Sequence, residues 1–383
     1  MTNAQALLIH AVKASVCGVP IANLDEPDWN EFLQLAHRHD LNAMVYDGLQ
    51  KSNFLLPQTV EQALHSHYMR AFYQDSQQEY VKKQLQDALV AAGIKHIFLK
   101  GSVLKDDYPV PALRTMCDLD VLVYAKDFDA IADVVKALGG KTMPGDGNHR
   151  NYCFFDSVFV EFHPNLMHHA TPVGIGINPG WQYAKEDSQT CSGALTAEGF
   201  YLNTICHLAS HFVDCGVGVR YVLDVWINRH LRKPEADRAF VEAELKRFGL
   251  LDFAKNIEQL ADAWFGDLSM TPLLEELGEY ILTSGLQGTA ERAMLNAMSL
   301  STGGSRASAL WKKAFYPRAE LEDRFPWCKG KPLLLPVAWC ARVYHALTIH
   351  GNIVGRWIKR TGQISKAELT EHRGKLHRFG IVK

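Results

Sequence analysis

Asp118 and Asp120 stand two residues apart in Asp118-Leu-Asp-Val-Leu-Val-Tyr124, a run of strand character. In a strand, residues i and i+2 share a face, so both carboxylates point the same way with Cα atoms about 7 Å apart. Leu119, Val121 and Val123 then point to the opposite face. Two ionised carboxylates side by side repel each other, and a hard divalent cation with a preference for oxygen ligands relieves that repulsion. A D-x-D pair alone is more often two solvated acids at a strand end, so its surroundings decide. Glu161 supplies a third acid, in the middle of Val158-Phe-Val-Glu-Phe-His163, where Val160 and Phe162 face the other side. A carboxylate in so apolar a strand needs a partner, and a metal shared with Asp118 and Asp120 provides one. His163 lies on the same face as Glu161, where it serves as hydrogen-bonded packing or steers an acceptor.

Gly101-Ser102 follows the short β-branched and aromatic run Ile94–Lys100 and opens a short predicted helix. Backbone N–H groups and the helix dipole at such a junction can face a phosphate, and a glycine lets the backbone approach it closely. Taken alone, Gly101 reads as a turn residue. Lys100 and Arg114 can pair with phosphate oxygens, the arginine in bidentate fashion. Their ordinary readings are a strand-end surface lysine and a structural ion pair.

These residues must be positioned by a small α/β unit. Residues 1–92 read as helical: Ala6, Leu7, Ile9 and Val12 begin one amphipathic segment, Asp25–Asp28 caps the next, and a long helix covers 57–92 before Gly93. Strands are expected at 94–100, 118–124, 150–155 and 157–163, with a helix over 126–138 stopped by Gly139-Gly140. From 196 the spacing is helical again, in segments at 196–214, 218–231, 236–248, 251–265, 272–284 and 288–300. A loop at Thr302-Gly-Gly-Ser305 precedes helices near 306–316 and 334–358 and a basic tail, HRGKLHRFGIVK. The expected fold class is α+β, with a small mixed sheet at 93–190 between N-terminal helices at 1–92 and a large helical region at 191–383.

Composition narrows the classes. With 47% hydrophobic and 21% charged residues and a formal net charge of -2, the chain is globular and gives no bulk attraction to nucleic acid or anionic membranes. Eight scattered cysteines without C-x-x-C spacing read as reduced thiols in a reducing, cytoplasmic setting. No secretory signal is expected, since His10 and Lys13 interrupt the N-terminal apolar run. The most apolar stretch, 332–355, contains Arg342 and His345 and reads as a buried or interfacial helix rather than a transmembrane one. No G-x-S-x-G elbow, P-loop or G-x-G-x-x-G fingerprint occurs. His207 and His211, four apart in H-L-A-S-H, have the spacing of a zinc pair with Cys206, Cys215, His163 or His168 as conceivable partners. The glutamate of H-E-x-x-H is missing, so pocket or core histidines are the preferred reading.

Lys100-Gly-Ser-x-Leu, Tyr108, Arg114, Asp118-Leu-Asp-Val-Leu-Val, Val160-Glu-Phe-His163, His207-Leu-x-x-His211 and Arg220-x-x-x-Asp224 together resemble the uncharacterised bacterial nucleotidyltransferases of the polymerase-β superfold. The resemblance covers about residues 85–230 and departs from compact superfamily members in the longer stretch between Gly101 and Asp118. It implies a Mg²⁺- or Mn²⁺-dependent transfer of a nucleotidyl group from an NTP to a hydroxyl on a small molecule, sugar or protein. Asp118 and Asp120 would hold metal and triphosphate, Glu161 would complete the metal site and help deprotonate the acceptor, and Gly101 and Ser102 would contact the triphosphate. Arg220 and Asp224, ordinarily an intrahelical ion pair at this spacing, gain a nucleotide- or acceptor-facing role. The competing class is a nucleotide-binding regulatory module that keeps the fold without turnover.

Overall fold

In the computed structural model, residues 1–21, 24–144, 149–167, 173, 175–186, 190–286, 288–300, 318, 321–322, 325–349 and 364–381 are described. The expected loop at 302–305, the expected helix near 306–316 and His168 lie outside them.

Four helices open the chain: α1 (Asn3–Cys17), α2 (Trp29–Arg38), α3 (Asn42–Lys51) and α4 (Gln58–Ala91). Thr2 and Gln5 form a capping box on α1, and the Asp28 carboxylate accepts from the N–H groups of Asn30 and Glu31 to start α2. Where α1 crosses α3, a Cβ on Gly48 would lie 1.8 Å from the Ala11 carbonyl oxygen, so only glycine allows that approach. Gly93 ends α4 with φ +68°.

The strands are β1 (His96–Phe98), β2 (Asp118–Val123), β3 (Lys141–Met143), β4 (Arg150–Phe154), β5 (Val158–His163), β6 (Ala184–Glu186) and β7 (Ser192–Leu195). Between β1 and β2 lies the short helix α5 (Gly101–Leu104), and α6 (Phe128–Ala137) precedes β3. The sheet runs β3-β4-β5-β2-β1-β7-β6, with β2 parallel to β5 and antiparallel to β1. Phe155 and Asp156, both with φ +54°, make the tight turn between β4 and β5. Three strands beyond the four expected appear: β3, β6 and β7 have three or four residues each, too few to show an alternation. The parallel pairing of β7 with β1 carries the sheet past residue 190.

The strand alternation holds. Leu119, Val121 and Val123 pack with Val160 and Phe162 against Val81, Leu85 and Leu89 of α4 and Ile131 and Val135 of α6. On the other face, Leu122 joins a second core built with the C-terminal helices. Those begin with α7 (Ala197–Asp214), α8 (Val219–His230), α9 (Arg238–Phe248), α10 (Leu251–Phe265), α11 (Pro272–Ser284) and α12 (Ala290–Ser299), followed by Leu335–Ile349 and Lys366–Arg378. The same core takes in α1, α2 and α3, so the N- and C-terminal helices share one apolar interior. Among the described residues, no helix is long and apolar enough to cross a membrane.

Candidate active site

The register of β2 on β5 sets the acids together. Asp120 is directly opposite Glu161, and Leu122 is opposite His163. On the other side of β2, the Leu99 N–H donates to the Asp120 carbonyl at 2.9 Å. The next residue, Lys100, has φ +51° and ψ -127°, a region that side-chain-bearing residues rarely occupy and that is held at functional sites by the surrounding fold. This bend brings the ammonium over the carboxylates. Gln78 and Gln74 of α4 both donate to the Met116 carbonyl, at 2.9 and 3.1 Å, fixing the backbone two residues before Asp118.

Asp120 is 4% exposed. Its Oδ1 accepts from Lys100 Nζ at 2.8 Å and lies 2.8 Å from His163 Nε2, which is also 3.4 Å from Glu161 Oε2. Burial alone would raise the Asp120 pKa, but the Lys100 ammonium and the His163 bond hold it well below the usual carboxylate range. Burial likewise opposes the charged forms of Lys100 and His163. Asp120 outweighs it at both, assisted at His163 by Glu161, and both pKa values are raised. The His163 hydrogen bond lowers the Glu161 pKa. Asp118 goes the other way, pushed up to about 6 by burial and by the charge of Asp120 beside it. Asp118 is therefore short of positive charge.

A divalent cation fits this place on the chemistry of its donors. One ligand atom each from Asp120, Glu161 and His163 lies within 4.8 Å of the others, and Asp118 lines the same cavity as Asp120 and Glu161. Oxygen donors dominate the set, as suits a hard ion.

Of the remaining residues singled out in the sequence, Gly101, Arg114, His207, His211, Arg220 and Asp224 line a cavity of about 480 Å³, and Ser102 does not. A Cβ on Gly101 would meet Arg114 Nη1 at 2.2 Å and Met116 Sδ at 3.3 Å, so here the glycine makes room for a guanidinium. Ser102 is 1% exposed, and its hydroxyl donates to the Leu99 carbonyl at 2.7 Å. Arg220 and Asp224 both line the cavity but do not pair along their helix. Asp224 accepts from Arg114 Nη2 at 2.7 Å, Arg114 Nε at 3.2 Å and the Tyr108 hydroxyl at 2.6 Å. Arg220 Nη1 donates to Asp40 Oδ2 and to the Thr115 carbonyl, each at 2.7 Å. A forked guanidinium and a phenol satisfy Asp224 better than one helix neighbour could.

His207 and His211 line the cavity with their Nε2 atoms 3.1 Å apart. Burial, and then the Lys100 charge, holds the His207 pKa well below its usual value and that of His211 at about 4. Among the described residues they do not join a third metal-ligating side chain. Asn203 and Tyr221 also line the cavity and were not singled out in the sequence. Asn203 precedes His207 by four residues on a helix, which was the available signal. Asp40, which reaches Arg220 across 180 positions, gave none.

A family model described as an uncharacterised nucleotidyltransferase matches residues 25–266 of the chain. No curated protein and no solved structure matches it.

Proposed function

The chain belongs to this uncharacterised nucleotidyltransferase family, and we propose that it moves an NMP group from an NTP to a hydroxyl acceptor in a metal-dependent reaction. The observation that carries the reading is the convergence of Asp118, Asp120 and Glu161 on one cavity with Lys100 beside them. A divalent ion, Mg²⁺ or Mn²⁺, would be held by Asp120 and Glu161 with Asp118 or His163, and it would supply neutralisation of charge on the phosphates. The Lys100 ammonium, largely buried and paired to Asp120, is placed to bind a phosphate oxygen. The acceptor hydroxyl gives its proton to the Glu161 carboxylate, its oxygen bonds to the α-phosphorus, and pyrophosphate leaves with the electron pair of the broken P–O bond. His163, hydrogen-bonded to Glu161 and Asp120, orients the two carboxylates.

The test is Glu161→Gln in a screen of pyrophosphate release with four NTPs, pooled hydroxyl acceptors, and Mg²⁺ or chelator. Wild type is expected to release pyrophosphate only with metal. The variant should keep NTP affinity to within about threefold and lose about 10²-fold or more in turnover. Wild-type turnover in the variant would remove Glu161 from the reaction. A second reading, a nucleotide-binding module without turnover, draws on one observation: Asp120 Oδ1 already faces both Lys100 and His163, which a cation must displace. Metal-independent NTP binding without pyrophosphate release would favour it.

A further inference from the structure

We propose that the cavity face of α7, opposed by Tyr221 of α8, recognises the base of the nucleotide, with Asn203 as the residue that discriminates between bases. This rests on the nucleotidyl-transfer reading. Phe200, Asn203, His207 and His211 recur at steps of three and four on α7, so they share one face, and all four line the cavity with Tyr221. Asn203 is 2% exposed and lines the cavity, and its Oδ1 has no hydrogen-bond partner within the chain. Buried carboxamide oxygens are almost always paired, and one that is not, on a cavity wall, is satisfied when a ligand brings a donor.

The wall around Asn203 is neutral. Burial keeps both imidazoles uncharged at neutral pH, and the guanidinium groups at the edge are already matched, Arg114 by Asp224 and Arg220 by Asp40. Phosphate belongs instead at the Lys100 end of the same cavity, where the proposed divalent ion would sit among the acids. The Tyr221 ring lies 5.9 Å from that of His207 and 5.6 Å from that of His211, giving a cluster of ring faces beside a carboxamide edge. A flat, uncharged heterocycle with polar edge atoms is complementary to both.

A carboxamide presents an acceptor and a donor side by side. Adenine and cytosine set an exocyclic N–H donor beside a ring-nitrogen acceptor. Guanine and uracil set an exocyclic oxygen beside a ring N–H, the reverse order. In a given orientation the Asn203 carboxamide fits one order and brings like against like with the other.

The experiment is calorimetric titration of the full chain, with Mg²⁺, by ATP, CTP, GTP, UTP and inorganic tripolyphosphate, for wild type, Asn203→Leu and the isosteric Asn203→Asp. Wild type is expected to bind the amino-base pair and the oxo-base pair with affinities differing by about tenfold or more. Both variants should lose that difference while binding tripolyphosphate as wild type does, which also reports that they are folded. Equal binding of all four NTPs by wild type, or a difference that survives in both variants, overturns the assignment. Failure of wild type to bind any NTP or tripolyphosphate would bring down the nucleotidyl-transfer reading itself, and this inference with it.

Discussion

Gly101 shows how the structure can keep a residue's importance and change its reason. In the sequence it read as a glycine that lets the backbone approach phosphate. In the fold, the space its missing Cβ leaves is filled by the Arg114 guanidinium, which is committed to Asp224. Gly101→Ala should therefore act through Arg114: an added Cβ displaces the guanidinium and loosens its fork on Asp224. We expect Gly101→Ala and Arg114→Ala each to weaken Mg²⁺–NTP binding by about tenfold, and the double variant to be no weaker than Arg114→Ala alone. Calorimetry around that cycle checks it, and fully additive losses would return the glycine to a direct phosphate role. The aspartates were legible because a period of two is a local property. The Asp120–Glu161 register was not, because it belongs to two strands that meet only in the folded sheet.

At the level of elements, α4 does more than supply the long helix expected over 57–92. Its C-terminal half packs Val81, Leu85 and Leu89 under the sheet. Its polar side chains hold the loop that leads to Asp118: Gln74 and Gln78 on the Met116 carbonyl, Lys82 on the Ser102 carbonyl, and Asp75 and Glu79 on the buried Lys105. Replacing both glutamines by leucine leaves the Met116 carbonyl without these donors, at a cost of about 1–3 kcal/mol. The double variant should melt several degrees lower and lose more in kcat than in NTP affinity, since Asp118 stands two residues on. An unchanged kcat in a destabilised protein would show that the loop holds its shape unaided. The long helix and its glycine stop were readable from propensity. The use of its polar face was not, because an exposed glutamine and one that clamps a carbonyl look alike in sequence. Strands β6 and β7 were equally hidden, each too short to carry a pattern.

For the molecule as a whole, His39 ties the two sets of helices. It is fully buried, its Nδ1 accepts from the Val219 N–H at 3.2 Å, and its Nε2 donates to the Leu282 carbonyl at 3.1 Å. Both ring nitrogens are used by the neutral form alone, and burial brings the pKa down to about 4. The unfolded chain, with an ordinary histidine pKa near 6.5, takes up the proton first. Stability from this residue is thus complete above pH 6.5 and is lost as pH falls from there to about 4, amounting to about 2 kcal/mol by pH 5. Urea denaturation at pH 7 and pH 5 should show that loss in wild type and a correspondingly smaller one in His39→Leu; equal losses would contradict it. The pairing of Arg114 with Asp224 carries a further consequence, for the order of events on the ribosome. The two are separated by 110 positions, which at ordinary translation rates is an interval of roughly 5–20 s. That whole interval passes between the guanidinium leaving the ribosome and its carboxylate following, so the strands bearing Asp118, Asp120 and Glu161 can pair well before the cavity above them has its far wall.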